Sequence, residues 1–187
     1  MALPTPRYEH LGPRGPFRDV YEPAEDTFLL LDALERDAGS LREARVEICL
    51  EIGSGSGVVS TFLASSILGP SALYICTDIN PMAAYCTQET ALLNNVHLQP
   101  IITDLVKSHG IEASWAGGKQ GREVMDRVFP LVPDLLSPGG LFYLVTIKEN
   151  NPDEILETMK QSGLKGTQIL SRQAGQEMLT ILRFRKS

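Results

Sequence analysis

Short apolar runs alternate along this chain with segments of helical periodicity. The runs lie at residues 46–53, 72–78, 96–103 and 141–147, and each has the length of a buried strand. After the first run, apolar positions from Gly57 onward repeat at helical spacing, and Asn80 with Pro81 caps a second helix that extends to about Asn94. Strands that alternate with helices predict a parallel sheet wound by right-handed crossovers.

Other segments complete the predicted elements. Residues 25–36 place apolar side chains on one face of a helix, and Asn151 opens a helix that Gly163 ends. Two further β runs, 167–170 and 178–184, close the chain. Residues 1–20 are rich in Pro, Gly and Arg without periodicity, so we expect a flexible arm there, followed by a single domain over 21–187.

Composition narrows the class of protein. The 187 residues carry a net charge of -6 with scattered basic residues, which argues against binding nucleic acid through its phosphates. Cys49, Cys76 and Cys86 have no C-x-x-C spacing and no histidine cluster accompanies them, so we predict reduced cysteines and no metal site. No apolar run has the length of a membrane span and no signal peptide opens the chain. We expect a soluble intracellular protein, cytoplasmic or nuclear.

The strongest chemical signal is a glycine-rich turn between the first strand and its helix. Gly53 and Gly55 let a ligand approach the backbone, and the helix that begins near Gly57 presents free N–H groups. Asp78, at the end of the next strand, can accept two hydrogen bonds from ribose hydroxyls. This arrangement is typical of a nucleotide cofactor site.

The charge at the turn favours S-adenosylmethionine over a dinucleotide. The glycine spacing is G-x-G-x-G rather than G-x-G-x-x-G, and Glu51 would repel a pyrophosphate, whereas S-adenosylmethionine carries an ammonium and a sulfonium. Asp104 ends the third strand at the same sheet edge, where it either accepts a hydrogen bond from an adenine amino group or is simply solvated.

Several stretches together resemble the HemK-type glutamine methyltransferases. They are VYEPAEDTFLLLDAL, CLEIGSGSGVVS, CTDIN, TDLV and SHGIEASWAGGKQGREVMDR. The likeness is strongest to the eukaryotic enzymes that modify class I translation termination factors, and it covers nearly all the chain from Tyr21 on. It implies a Rossmann-like class I S-adenosylmethionine-dependent methyltransferase fold that methylates the glutamine of a Gly-Gly-Gln motif in a release factor.

The resemblance also implies site residues and partners. The residues that would contact the cofactor are Thr27, Glu51, Gly53, Gly55, Asp78, Asp104 and Leu105. Thr27 could equally satisfy the backbone at the start of its helix. The eukaryotic relatives act with a small zinc-binding activator subunit that pairs with the sheet edge near strand three, which residues 96–102 would offer here.

One segment of the family pattern is absent. Relatives follow the third strand with a helical stretch, a central fourth strand and the tetrapeptide Asn-Pro-Pro-Tyr, whereas here Lys107 leads directly into Ser108. The tetrapeptide holds the acceptor amide, so we name no catalytic residue and expect weak or no transfer. Either strand five re-pairs with strand one or the isolated chain is unstable. The clean junction suggests an alternative transcript, which sequencing the source transcript would test.

Alternatives to this function remain open at the level of sequence. The chain could be a non-enzymatic decoy that binds the cofactor or the activator, or a methyltransferase for another acceptor such as a lysine, a small molecule or a nucleic-acid adenine. Trp115, Gly117, Gly118, Arg122 and Glu123 either line the acceptor-peptide groove, as the resemblance implies, or form only helix and surface.

Overall fold

The computed structural model describes residues 2–104 and 122–187. The chain divides into two compact units, Met1–Leu105 and Val106–Ser187. The elements of the first unit are α1 Glu25–Arg36, α2 Ala38–Glu43, β1 Ile48–Ile52, α3 Val58–Phe62, β2 Leu73–Asp78, α4 Pro81–Leu93 and β3 Gln99–Ile102. Those of the second unit are α5 Glu123–Val128, α6 Val132–Leu135, β4 Leu141–Ile147, α7 Pro152–Gln161, β5 Leu164–Ala174 and β6 Glu177–Lys186.

The first unit contains a parallel sheet with the strand order β1-β2-β3. Helices α3 and α4 are its crossovers, and a π-helical turn at Leu63–Ile67 continues α3. Both crossovers contribute to one core, in which Ala64 and Ala91 lie against Tyr74 and Cys76 of β2. The alternation of strands and helices in the sequence therefore predicted this unit correctly. Because the three strands are parallel, their carboxyl ends lie along one edge of the sheet.

The opposite face of this sheet is apolar and exposed. Ile48, Leu50 and Ile52 of β1 are 62%, 40% and 36% exposed, and Leu73 of β2 is 46% exposed.

Strand β3 is shorter than the predicted run of 96–103, because the backbone N–H of Val96 still donates to a carbonyl of α4. The apolar runs in the sequence thus predicted where the strands lie. They did not predict that one face of these strands is exposed.

The second unit corrects the prediction of a wholly parallel sheet. Its strands are antiparallel in the order β4-β6-β5. Only Gly175 and Gln176 separate β5 from β6, and a two-residue connection can join antiparallel strands but not parallel ones. Helix α7 covers one face of this sheet, where Ile155 and Met159 are fully buried with Phe184.

Strand pairing bears on the expected loss of a central strand. In the described part of the chain, β1 and β4 are each an edge strand of their own three-stranded sheet. The two expected outcomes of losing a central strand, re-pairing of strand five with strand one or instability of the isolated chain, stay predictions. Helix α2, α5 and α6 were not predicted, because each is only four to six residues long and shows little periodicity.

The N-terminal residues, expected to form a flexible arm, lie along α4. Phe17 and Val20 are 7% and 5% exposed and pack with Ala83 and Cys86 of that helix. The backbone of Arg7 also exchanges two 2.8 Å hydrogen bonds with the Asn94 side chain. Residues 2–20, called the arm below, thus contact α4 through isolated apolar residues, although the segment has no periodicity. The flexibility expected of the arm stays a prediction.

Candidate cofactor site

A glycine-rich turn joins β1 to α3 at the carboxyl edge of the parallel sheet. Gly53, Gly55 and Gly57 have φ angles of 75°, 50° and 76°, which residues with a side chain adopt only at a cost. A Cβ placed on Gly53 or Gly55 meets no atom within 4 Å, so the turn leaves space for a ligand. On Gly57, by contrast, it lies 2.8 Å from Cα of Thr87. This third glycine lets α3 and α4 pack closely.

Two threonines of α4 hold the carbonyl groups of the turn. Thr87 Oγ1 donates to the carbonyl oxygen of Gly55 at 3.3 Å, and Thr90 Oγ1 donates to that of Ser56 at 2.6 Å. Both threonines are fully buried. Sequence reasoning missed them, although a spacing of three residues puts both hydroxyls on one helix face beneath a predicted loop.

Asp78 lies beside the turn. Its Oδ2 accepts from the backbone N–H of Gly55 at 2.9 Å, and its Oδ1 accepts from that of Asn80, also at 2.9 Å. A carboxylate has further lone pairs, so Asp78 can still accept from ribose hydroxyls. Asp78 therefore also holds the glycine turn in place. The sequence did not predict this second role, because the turn and the end of β2 meet only through the register of β1 and β2.

Glu51 lies on β1 under the start of α3. Its Oε2 accepts from the backbone N–H of Ser60 at 3.2 Å and also from the Ser60 hydroxyl. Burial raises the pKa of Glu51 from 4.5 to about 7, the bonds from Ser60 lower it in part, and the nearby charge of Asp78 raises it slightly. A cationic group arriving here would favour the ionised carboxylate, in keeping with the predicted preference for a positively charged ligand.

The remaining predicted contacts lie at the periphery or outside the described residues. The hydroxyl of Thr27 accepts from the backbone N–H of Ala24 at 3.4 Å, which is the helix-start alternative, and its contact with a cofactor stays a prediction. Asp104 is exposed just beyond β3, where the N–H of Thr103 donates to the carbonyl of Asp78. This bond brings Asp104 to the same sheet edge. Leu105 lies outside the described residues.

The segment assigned to the acceptor groove is described only at its end. Trp115, Gly117 and Gly118 lie outside the described residues. Arg122 is 8% exposed, and its guanidinium pairs with Asp126 at 2.9 Å and Glu154 at 3.0 Å. These ion pairs fasten α5 to α7 within the second unit, so Arg122 has a structural role there.

The turn and its surroundings fit S-adenosylmethionine. Open space lies over Gly53 and Gly55, Asp78 has acceptor capacity beside it, and Glu51 supplies an ionisable carboxylate. The described residues hold no group of three or more His, Cys, Asp and Glu side chains that could bind a metal ion, and none of their helices is long and apolar enough to cross a membrane. Fold and site together define a class I S-adenosylmethionine-dependent methyltransferase.

Comparison with known proteins supports this class and refines it. A sequence model of the family "Ribosomal protein L11 methyltransferase (PrmA)" matches residues 25–180. The chain is 65% identical over 211 residues to "Methyltransferase HEMK2" of Homo sapiens, across 98% of this chain and 97% of that protein. It is 34% identical over 206 residues to "eRF1 methyltransferase catalytic subunit mtq2" of Schizosaccharomyces pombe, covering 89% of each chain.

A solved structure gives the same result. The chain superposes with a TM-score of 0.68 and 27% identity on a chain of the E. cuniculi Mtq2-Trm112 complex, over 90% of this chain and 99% of that one. The chain therefore belongs to the HemK-type S-adenosylmethionine-dependent N-methyltransferases, and its cofactor is S-adenosylmethionine. The resemblance drawn from the sequence motifs is confirmed.

The comparison also shows that this chain is shorter within the matched region. An alignment of 211 positions with the human protein exceeds the 187 residues of this chain, so it must cross positions at which this chain has no residue. The chain contains no Asn-Pro-Pro-Tyr. Both facts agree with the loss of an internal segment.

Proposed function

We propose that the chain binds S-adenosylmethionine at the glycine turn and methylates the glutamine of a Gly-Gly-Gln motif in a translation termination factor, with low turnover. The likeness to the Schizosaccharomyces pombe eRF1 methyltransferase subunit, over 89% of both chains, carries this proposal. The human relative at 65% identity supports it, as does the E. cuniculi complex, which methylates the eRF1 translation termination factor.

In this proposal, the residues of the turn bind and orient the cofactor. Asp78 accepts from the ribose hydroxyls, and Gly53 and Gly55 admit the ligand to the backbone. Ionised Glu51 attracts the ammonium group, and Asp104 accepts from the adenine amino group. By the family resemblance, Thr27 and Leu105 also contact the cofactor. S-adenosylmethionine would supply a methyl group on a sulfonium. Transfer would form a C–N bond to the acceptor amide, break the C–S bond to release S-adenosylhomocysteine, and pass one amide proton to solvent.

Low turnover follows from the chemistry of the acceptor. An amide nitrogen is a poor nucleophile because its lone pair is delocalised into the carbonyl. In the HemK-type pattern, Asn-Pro-Pro-Tyr holds the amide NH2 and points the nitrogen at the methyl carbon, and this chain has no such tetrapeptide. Alignment of reacting groups contributes a large share of enzymatic rate, so its loss reduces transfer far more than cofactor binding.

We also propose a partner, a small zinc-binding activator subunit. The solved relative is a complex of Mtq2 with Trm112. Among the described residues, β3 is one of the two edge strands of the parallel sheet, and its Ile101 and Ile102 are 45% and 53% exposed. A strand added to this edge would satisfy the free backbone groups of β3 and cover both isoleucines.

Thermal unfolding with and without S-adenosylmethionine tests the cofactor part. A ligand at about 100 times its Kd stabilises the folded state by about 2.7 kcal/mol, which raises the Tm by roughly 5–10 °C. Asp78→Ala should weaken binding at least about tenfold, since a charged hydrogen-bond partner is lost. Asp134→Asn, an exposed acidic residue of the second unit, is the control and should bind normally. An unchanged Tm in the wild-type chain would contradict the proposal.

A second candidate, a decoy without catalytic activity, is favoured by the missing tetrapeptide. Methyl transfer to a Gly-Gly-Gln peptide, measured with the activator subunit present, separates the two. Slow transfer that stops when the glutamine is replaced by asparagine supports the enzyme. Cofactor binding with no transfer over many hours supports the decoy.

A further inference from the structure

The arm places a histidine next to the residues that hold the glycine turn. His10 Nε2 lies 3.1 Å from Thr90 Oγ1, the hydroxyl that donates to the carbonyl of Ser56 at 2.6 Å. The His10 ring packs edge-on against Phe17, with ring centroids 5.6 Å apart, and Phe17 is buried against α4. The imidazole is therefore held in one orientation by the arm.

The direction of these hydrogen bonds follows from a count of protons. Thr90 has one hydroxyl proton and two carbonyl acceptors, Ser56 at 2.6 Å and Cys86 at 3.0 Å. The contact with Ser56 is the shorter, so we assign the proton to it. Toward His10 the hydroxyl oxygen then accepts, which assigns a proton to Nε2 of His10. The same nitrogen also lies 3.5 Å from Sγ of Cys86, a weak acceptor. The result is a directed chain from imidazole N–H to hydroxyl to turn carbonyl. Each bond in such a chain polarises and strengthens the next.

A second observation shows that this arrangement has a cost. Nδ1 of His10 is buried and has no hydrogen-bond partner among the described residues. A buried nitrogen without a partner is unfavourable, and native structures keep one only where something else holds the group in place. Phe17 and the bond to Thr90 hold this ring.

We propose that His10 is a positioning residue for the cofactor turn and acts through Thr90, so that the arm is part of the cofactor site without touching the ligand. This inference rests on the proposed binding of S-adenosylmethionine at the turn. The carbonyl of Ser56 belongs to the peptide that sets Gly57 at a φ of 76°, next to the start of α3. A turn whose carbonyl is no longer held samples more conformations, and binding must then order it again.

The main test compares two histidine substitutions of the same kind. His10→Leu keeps the apolar contact with Phe17 but removes the donor, and we expect it to weaken the S-adenosylmethionine Kd roughly fivefold, the effect of one hydrogen bond. His97→Leu, at an exposed position, is the matched control and should leave the Kd unchanged. Titration calorimetry measures both. An unchanged Kd in His10→Leu overturns the inference.

A double-mutant cycle separates a positioning role from general packing. Thr90→Val removes the hydroxyl through which His10 acts, so adding His10→Leu to it should weaken binding no further. Effects of the two substitutions that simply add would overturn the inference. Two polar variants keep the test decisive if His10→Leu does not fold. The longer side chain of His10→Gln can reach Thr90, whereas the shorter side chain of His10→Asn cannot. Gln should bind within about twofold of the wild-type chain, and Asn about as weakly as Leu.

Hydrogen exchange at the turn gives a readout that does not depend on the cofactor. The N–H of Gly57 donates to the carbonyl of Ser54 at 2.7 Å, so its exchange reports how well the turn is held. His10→Leu should speed exchange at Gly57 several-fold without affecting amides of β6, and equal rates would overturn the inference. If the wild-type chain does not bind S-adenosylmethionine, the proposed function fails, and this measurement still decides the role of His10.

Discussion

Glu51 makes the stability of the folded chain depend on pH in a defined direction. Its pKa is raised from 4.5 to about 7 by burial, so the folded state holds the proton more tightly than the unfolded state. Its contribution to stability is therefore complete below about pH 4.5 and is lost as the pH rises through about 7. The wild-type free energy of unfolding should fall in this window, relative to Glu51→Gln, by up to about 1.4 kcal/mol per pH unit.

Chemical denaturation of both chains at several pH values measures that difference. Cofactor binding should show the opposite trend, since the ionised carboxylate attracts the ammonium group, and affinity should rise between about pH 5 and 7 in the wild-type chain only. Parallel stability curves for the two chains would mean that Glu51 is ionised throughout this range.

Substituting two glycines of the turn should affect the free energy of unfolding and the affinity for the cofactor differently. Gly57→Ala puts a Cβ 2.8 Å from the backbone of Thr87 at a positive φ, and we expect it to lower the free energy of unfolding by about 3 kcal/mol. Gly53→Ala meets no atom within 4 Å, so it should cost only about 1 kcal/mol of backbone strain. It should nevertheless weaken cofactor binding strongly, because the methyl group occupies the ligand side of the turn.

Urea denaturation and cofactor titration of the two variants test this contrast. Equal losses of stability would contradict the different surroundings of the two glycines. Normal binding by Gly53→Ala would place the ligand elsewhere.

Helix α4 carries both the packing of the arm and the support of the turn. Its start depends on Asn80, whose side-chain oxygen accepts from the backbone N–H of Met82 at 3.0 Å. Asn80→Ala should cost about 1 kcal/mol, whereas Asn80→Ser, which keeps a capping oxygen, should cost a few tenths. Both variants lose the same weak bond to the arm, from the Asn80 amide to the carbonyl of Asp19 at 3.3 Å. Their difference in thermal unfolding therefore isolates the cap, and indistinguishable variants would exclude it.

At the scale of elements, capping residues and apolar runs correctly predicted helix starts and strands, because neighbouring residues in the sequence determine both. Asn80 and Pro81 begin α4 as expected, and the run at 141–147 coincides with β4. The direction of β5 and β6 was not predicted, because it follows from a two-residue connection rather than from periodicity. The contacts of the arm with α4 were not predicted for a similar reason, since Phe17 and Val20 are isolated apolar residues whose partners lie more than sixty residues away on that helix.

At the cofactor site, the sequence predicted which residues would face a ligand but not which residues hold them in place. Gly53, Gly55 and Asp78 follow from motif and strand order. The support from Thr87, Thr90 and His10 depends on tertiary packing, which brings segments 32 to 80 residues apart into contact. No local pattern encodes such contacts, although threonines three residues apart in a buried helix are a signal worth testing.

For the whole molecule, the missing internal segment should affect transfer and binding unequally. The glycine turn, Asp78 and α4 all belong to the first unit and are formed in this chain. Inserting, between Lys107 and Ser108, a segment of the HemK-type pattern that contains Asn-Pro-Pro-Tyr should therefore change the S-adenosylmethionine Kd by less than about threefold. Transfer to a Gly-Gly-Gln peptide should rise at least about 100-fold, because the acceptor amide is now held in line.

The control insertion carries alanine in place of the asparagine of Asn-Pro-Pro-Tyr. It restores the length of the chain and any strand pairing that the segment provides, but not the group that holds the amide. If it transfers methyl groups as fast as the unaltered insertion, the segment acts through the fold and not through the acceptor. If the chain without an insertion already transfers methyl groups as fast as both insertion variants, other residues position the glutamine. The low turnover proposed here would then be wrong.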